Sequence, residues 1–243
     1  MILAAGLGTR LLPHTLTRPK PLFPVLGRPL LLWLLDDLRR AGLTPVVVNA
    51  WHLREQIAEL LAEEADVILQ MEEEKLGTGG SIRLAQPHFG DQPALVTNGD
   101  ILHTIDYAWV YAQHRAAGND ATLVLHDYPR FNNVAMAADQ WIVGFGNSEQ
   151  GRGDGRPRML AFTGIQVIDP ALLSLIPPGI FYNSIDWYRE LIRQGRRVRA
   201  LVVKDHFWLD MGTPADYQRL QQTLLLAGSL GQGREHQGGE NGG

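Results

Sequence analysis

The 243-residue chain has no cysteine. That excludes disulfides, thiolate nucleophiles and cysteine-ligated zinc. Its eight histidines are scattered singly, without metal-ligand spacing. No apolar run approaches the ~18 residues of a membrane span. The apolar N-terminus has neither the basic region nor the cleavage signal of a secretory leader, and Gly6 and Gly8 interrupt it. An excess of positive charge is missing too: the formal net charge of −4 gives no electrostatic reason to expect nucleic acid as a partner. There is no internal repeat, and in particular no hexapeptide repeat that would build a β-helix. What is left, with 45% apolar and 20% charged residues, is the composition of an ordinary soluble globular protein, for which the cytoplasm is the default compartment. Composition leaves the oligomeric state open between monomer and homodimer.

What the chain does have is an alternation of short β-rich runs with helical periods. "MILAA" is a short apolar run, and Pro29 precedes "LLLWLLDDLRRAG", a helix that ends at Gly42. "TPVVVNA" is a strand; "HLREQIAELLAEE" is an amphipathic helix with Leu53, Ile57, Leu60 and Leu61 as its apolar positions. "DVILQM" and "ALVTNGD" are strands either side of a short helix over Thr78 to Ala85, and a helix near Tyr107 to Ala117 leads into the strand "ATLVLHD". This repetition predicts a three-layer α/β/α, Rossmann-like fold with a predominantly parallel mixed sheet. Ligands of such sheets sit beyond the carboxyl ends of the strands. Gly6 and Asp100 both fall there.

From about Phe131 the pattern changes. "NVAMAADQWIVGFG" reads as two short strands, "NSEQGRGDGRPR" as an exposed, mobile loop, and "MLAFTGIQVID" and "RRVRALVV" as strands around the helix "SIDWYRELIRQG". A terminal helix starts at Thr213. The glycine-rich stretch 227–243 is expected to be disordered.

The run "LAAGLGTRLLPHTLTRPKPLFPV" demands a chemical reason. Gly6 and Gly8 fit a tight turn whose N–H groups approach a ligand closely. The dinucleotide fingerprint fails, because Leu11 stands where its third glycine belongs, and the P-loop pattern is absent. Prolines 19, 21 and 24 make the segment after Thr17 extended and stiff, able to hold Lys20 over the turn. Arg10 offers a fork of donors and Lys20 a point charge, a pair suited to a polyphosphate.

This run resembles the N-terminal signature of the sugar-1-phosphate nucleotidylyltransferases, L-A-A-G-x-G-T-R-L-x-P-L-T-x-x-x-P-K-P, with His14 replacing a leucine as a packing variation. "EEEKLGTGGSI", "TNGD" and "FWLDMGTPADY" resemble later segments of the same family in the same order, and the resemblance covers about residues 1 to 225. It implies a nucleotidyltransferase domain over 1–226, with a nucleotide-binding half (1–130) and a sugar-binding half (131–226). Residues implied at the nucleotide are Leu3, Ala5, Gly6, Gly8, Thr9, Arg10, Lys20, Glu72, Gly77, Thr78 and Asn98. An ionised Glu72 only accepts hydrogen bonds, so it suits the ring N–H of uracil or guanine, and UTP or GTP is the expected donor. Asp100 and Asp210 are the implied ligands of Mg²⁺, the expected cofactor. On the sugar side the resemblance points to Gly164, to Asn183 (where relatives carry glutamate or lysine) and to Lys204 for the sugar phosphate. Trp208 is expected to pack, and Asp186 to be a first-turn helix acid.

The implied reaction is NTP plus sugar 1-phosphate giving NDP-sugar and pyrophosphate. The nucleophile is already anionic, so no general base is required; catalysis is positioning and charge neutralisation by Arg10, Lys20, Asp100 and Asp210. The compact length resembles N-acetylmuramic acid 1-phosphate uridylyltransferases. Two alternatives stand beside this reading. One is a cytidylyltransferase for a phosphorylated alcohol such as phosphocholine, with Trp187 and Tyr188 as candidates for an aromatic cage. The other is a regulatory subunit that binds nucleotide sugars without chemistry.

Overall fold

A computed structural model describes residues 1–146 and 156–235. In chain order its elements are strand β1 (Ile2–Leu3), a hairpin of β2 (Pro24–Val25) and β3 (Arg28–Pro29), helix α1 (Leu30–Arg40), β4 (Val46–Ala50), α2 (Arg54–Leu61), β5 (Val67–Met71), α3 (Gly77–Ala85), β6 (Ala94–Asn98), β7 (Ile101–His103), α4 (Tyr107–Ala117) and β8 (Ala121–His126). Then come β9 (Val134–Met136), β10 (Ile142–Phe145), β11 (Arg158–Ile168), α5 (Ser184–Arg193), β12 (Val198–Val202), β13 (Trp208–Asp210) and α6 (Pro214–Glu235).

The main sheet runs β5-β4-β1-β6-β11, and all pairs from β5 to β6 are parallel. β1 lies between β4 and β6, with Leu3 opposite Asn49 on one side and Asn98 on the other. The chain builds outward through β4 and β5, then returns to the other side of β1 as β6. That reversal creates the crevice in which open α/β sheets hold ligands. At β11 the pairing turns antiparallel, to β6, β8 and β9, and β12 joins β8 in parallel.

The sheet is covered on both faces because its central strands are apolar on both. Val46, Val48 and Ala50 pack with Leu30, Leu34, Leu38, Ile57 and Val110 of α1, α2 and α4. Val47, Val96 and Leu123 pack with Ile82, Trp187 and Leu191 of α3 and α5. Continuous apolar runs of this kind mark strands buried on both sides.

Several expectations change. The segment after Thr17 is not extended throughout: Pro19 and Phe23 are, but Lys20–Leu22 form a 3₁₀ turn. His14 is exposed rather than packed. The strands β7 and β13, unforeseen, pair with each other. α6 continues to Glu235, past the expected start of disorder at residue 227. Most of the expected loop at 147–158, and residues 236–243, lie outside the described residues.

Candidate functional site

The glycine turn opens where β1 ends. Gly8 has φ +62°, and a Cβ there would stand 2.8 Å from Thr15 Cγ2, so both conformation and space require glycine. Thr15 is buried and donates its hydroxyl to the Gly8 carbonyl at 3.1 Å, which pins the turn. A Cβ on Gly6 would meet nothing within 4 Å, because Gly6 borders a cavity of about 390 Å³.

The 3₁₀ turn turns Lys20 inward, leaving it only 6% exposed. Its Nζ donates to Asp100 Oδ2 at 2.5 Å and lies 3.4 Å from Asp210 Oδ1, so one ammonium joins carboxylates 110 residues apart in sequence (210 − 100). The join is built by the β7–β13 pair: Asp210 faces Ile101 in register, and Met211 N–H donates to the Asp100 carbonyl at 3.0 Å. Gly99 lets that strand end sit against β1, since a Cβ would come within 2.7 Å of the Leu3 carbonyl oxygen. Arg10 is exposed and places Nη2 3.8 Å from Asp210 Oδ2. Burial is the main cause pushing the Asp210 carboxyl above the ordinary carboxylate range; the Asp100 charge adds to it, and Lys20 and Arg10 oppose it.

On one side of this centre lies Glu72. It is not part of a solvated acidic run, for it is 1% exposed, while Glu73 and Glu74 are exposed. Its Oε1 accepts from Asn49 Nδ2 at 2.9 Å and Gln70 Nε2 at 3.2 Å, and Asn49 Oδ1 in turn accepts from Ala4 N–H at 2.7 Å. A buried carboxylate is thereby tied to the root of the glycine turn. Gly77 and Thr78 line the same cavity, but the Gly79 N–H is spent on the Tyr182 carbonyl at 2.9 Å. The glycines of "LGTGG" approach that backbone closely: a Cβ on Gly80 would lie 2.6 Å from the Ile180 oxygen.

On the other side is a second cavity, of about 380 Å³; Arg10, Asn98 and Asp100 line both cavities, and Asp210 lines this one. Gly164 lines it at φ +86°, inside a bulge of β11, and a Cβ would stand 2.7 Å from Asn98 Nδ2. Two residues named from the sequence stand elsewhere. Asn183 caps α5, its Oδ1 accepting the Ile185 N–H at 2.8 Å, and lines neither cavity. Lys204 is exposed and borders a separate cavity with His126 and His206. Trp208 packs edge-on to His126 and Tyr128, with Nε1 donating to the Thr163 carbonyl at 2.9 Å, and it also walls the second cavity. Trp187 and Tyr188 are sealed in the core, so neither is part of a cage.

Sequence reasoning missed Asn49, Asn133 and Arg189. Asn49 had a signal, a polar residue inside the buried run "VVVNA". Asn133 and Arg189 line the second cavity but had none, because a loop amide and a helix cation read as solvated.

Known proteins resemble this chain in sequence and in fold. Over 241 residues the chain is 34% identical to the N-acetylmuramate alpha-1-phosphate uridylyltransferase of Neisseria meningitidis serogroup B, covering 94% of this chain and 98% of that one. It is 30% identical to a mannose-1-phosphate guanylyltransferase of Mycobacterium tuberculosis and 29% to a UTP–glucose-1-phosphate uridylyltransferase of Synechocystis, but spans only 64% and 63% of their lengths. Two solved structures share the fold. A putative glucose-1-phosphate thymidylyltransferase of Bacillus anthracis superposes with TM-score 0.77 at 21% identity, over 91% of this chain and 93% of that one. HddC of Yersinia pseudotuberculosis, complexed with GMP-PN, gives 0.76 at 23%, over 92% and 97%. The profile of the nucleotidyl transferases matches residues 1–133, more than half of the chain, and the chain belongs to that family.

Proposed function

We propose that this protein transfers a nucleotidylyl group from UTP or GTP to a sugar 1-phosphate, with uridylyl transfer to N-acetylmuramate 1-phosphate as the favoured pair. The relative that carries that activity in its name is 34% identical to this chain over 98% of its own length. The observation that carries the proposal is the meeting of Lys20, Asp100, Asp210 and Arg10 where two cavities adjoin: Arg10 and Asp100 line both, Lys20 lines the one holding Glu72, and Asp210 the one holding Gly164.

In this reading the nucleoside triphosphate enters over the glycine turn with its base toward Glu72. A fixed carboxylate accepts from a ring N–H, which uracil and guanine have and cytosine and neutral adenine lack. The sugar phosphate approaches from the Gly164 side. Its oxygen forms a bond to the α-phosphorus as the bridging bond to the β-phosphate breaks, and pyrophosphate leaves with that electron pair. Arg10, at the exposed mouth, offsets charge growing on the leaving group, and Lys20 gathers the phosphates. Asp100 and Asp210 would hold Mg²⁺: their oxygens already converge on one nitrogen, and hard oxygen donors suit that ion. Bound there, Mg²⁺ would neutralise phosphate charge. The test is a matrix of the common nucleoside triphosphates, with Mg²⁺, against a panel of sugar 1-phosphates, scored by pyrophosphate release. Release with at least one pair supports the proposal; no pair exceeding an Asp100→Asn control refutes it.

A further inference from the structure

The sugar-side cavity contains a cation that transfer to a plain aldose does not require. Arg189, on α5, lines it together with Asn133, Val134, Phe145 and Ile185. Its Nη1 donates to Asp186 Oδ1 at 2.6 Å, and its Nη2 reaches the Phe145 carbonyl at 3.5 Å. A guanidinium has five N–H donors, so most remain available. The Asp186 partner is 62% exposed, and an exposed pair one helical turn apart is weak enough to exchange for a ligand carboxylate.

The phosphate end of the acceptor does not need this arginine. It meets Arg10 and the aspartates, which come from the glycine turn and from the ends of β6 and β13, whereas Arg189 stands on α5 against β10. Sugar hydroxyls are matched by neutral partners such as the Asn133 amide. A full positive charge beside valine, phenylalanine and isoleucine matches something different: an anionic group on an apolar body.

We infer that Arg189 recognises a carboxylate on the acceptor sugar, making the substrate class an aldose 1-phosphate with an acidic, partly apolar ether substituent, such as the lactyl group of N-acetylmuramate. The inference rests on the transferase reading above and adds to it the residue that selects the acceptor.

N-Acetylglucosamine 1-phosphate is the same acceptor without the lactyl ether, so the pair isolates the carboxylate. With UTP and Mg²⁺, the wild type should show the higher kcat/KM on the acidic acceptor. Arg189→Gln should lower the acidic-to-neutral ratio by about ten- to hundredfold, the size of one lost charge-assisted hydrogen bond. Arg189→Lys should recover part of the ratio, and Asp186→Asn should not lower it. If Arg189 merely braced α5 against β10, its loss would depress both acceptors and leave the ratio unmoved, which would overturn the inference. Calorimetric titration of the two sugar phosphates onto the enzyme, with a UTP analogue non-hydrolysable between the α- and β-phosphates, reads the same ratio without turnover. Absence of transfer to every acceptor would sink the transferase reading. Equal binding of the two acceptors, or preference for the neutral one, would sink the role of Arg189 alone.

Discussion

The strand pair that brings the two aspartates together carries a built-in sensitivity to acid. His103 ends β7, faces Trp208 of β13 and is 6% exposed. Ile105 N–H donates to its Nδ1 at 3.1 Å, so the proton sits on Nε2, which donates to Tyr107 Oη at 2.8 Å; the tyrosine then donates to Thr97 Oγ1 at 3.0 Å. That chain requires neutral imidazole. Burial, with a smaller contribution from His206, lowers the His103 pKa from 6.5 to about 4. Between these values the unfolded chain takes up a proton that the folded one refuses, so stability is lost as pH falls from about 6.5 toward 4. From pH 7.5 to 4.5 the loss from this one group is roughly 2.5 kcal/mol, at 1.36 kcal/mol per pKa unit. For a chain of this length that is a fall in Tm of ~5–10 °C. Carboxylates titrate in the same range, so the assay is a comparison: thermal melts of the wild type and His103→Gln across that pH range. The variant should be less stable at pH 7.5, having lost buried hydrogen bonds, and the gap should narrow by roughly 2.5 kcal/mol at pH 4.5. A gap that stays constant with pH would refute the reasoning.

Other perturbations test the site. Glu72→Gln keeps the shape and removes the charge, so UTP binding measured by calorimetry should weaken about tenfold or more; unchanged affinity would remove Glu72 from the base site. Gly164→Ala forces a Cβ to 2.7 Å from Asn98 Nδ2 at a positive φ. It should lower Tm by the equivalent of ~1–3 kcal/mol and raise the KM for the sugar phosphate, and a neutral outcome in both would show that Asn98 yields freely. Asp100→Asn and Asp210→Asn should each cost at least about two orders of magnitude in turnover. The double variant should be little worse than either, as for groups that act as a unit. Additive losses in pyrophosphate release would separate the two residues.

Much of the first 130 residues is legible in the sequence because its signals are local. Pro29 and Gly42 bracket a helix observed over Leu30–Arg40, and "VVVNA" is a strand buried throughout. The glycine turn was legible as a motif, though the inward aim of Lys20 depends on a 3₁₀ turn that the prolines alone do not announce. The wall of the second cavity was harder for a physical reason. Its elements β9, β10, β11 and α5 are legible one by one, but the fold sets them beside the ends of β6 and β13, and no local pattern announces which of their side chains meet there. The resemblance points to Asn183 in the site, but an asparagine at that position does what asparagine does best locally, capping its own helix. The resemblance likewise points to Lys204, but the fold sets it at another cavity.

The account depends on Asp100 and Asp210 serving one metal–triphosphate centre. Titrating Mn²⁺, as a paramagnetic substitute for Mg²⁺, into the protein with one equivalent of UTP per chain and following free Mn²⁺ by electron paramagnetic resonance, against the same UTP without protein, tests this directly. The account predicts one bound ion per chain, its affinity lowered in Asp100→Asn and equally in Asp210→Asn. Wild-type affinity retained in either variant would contradict it.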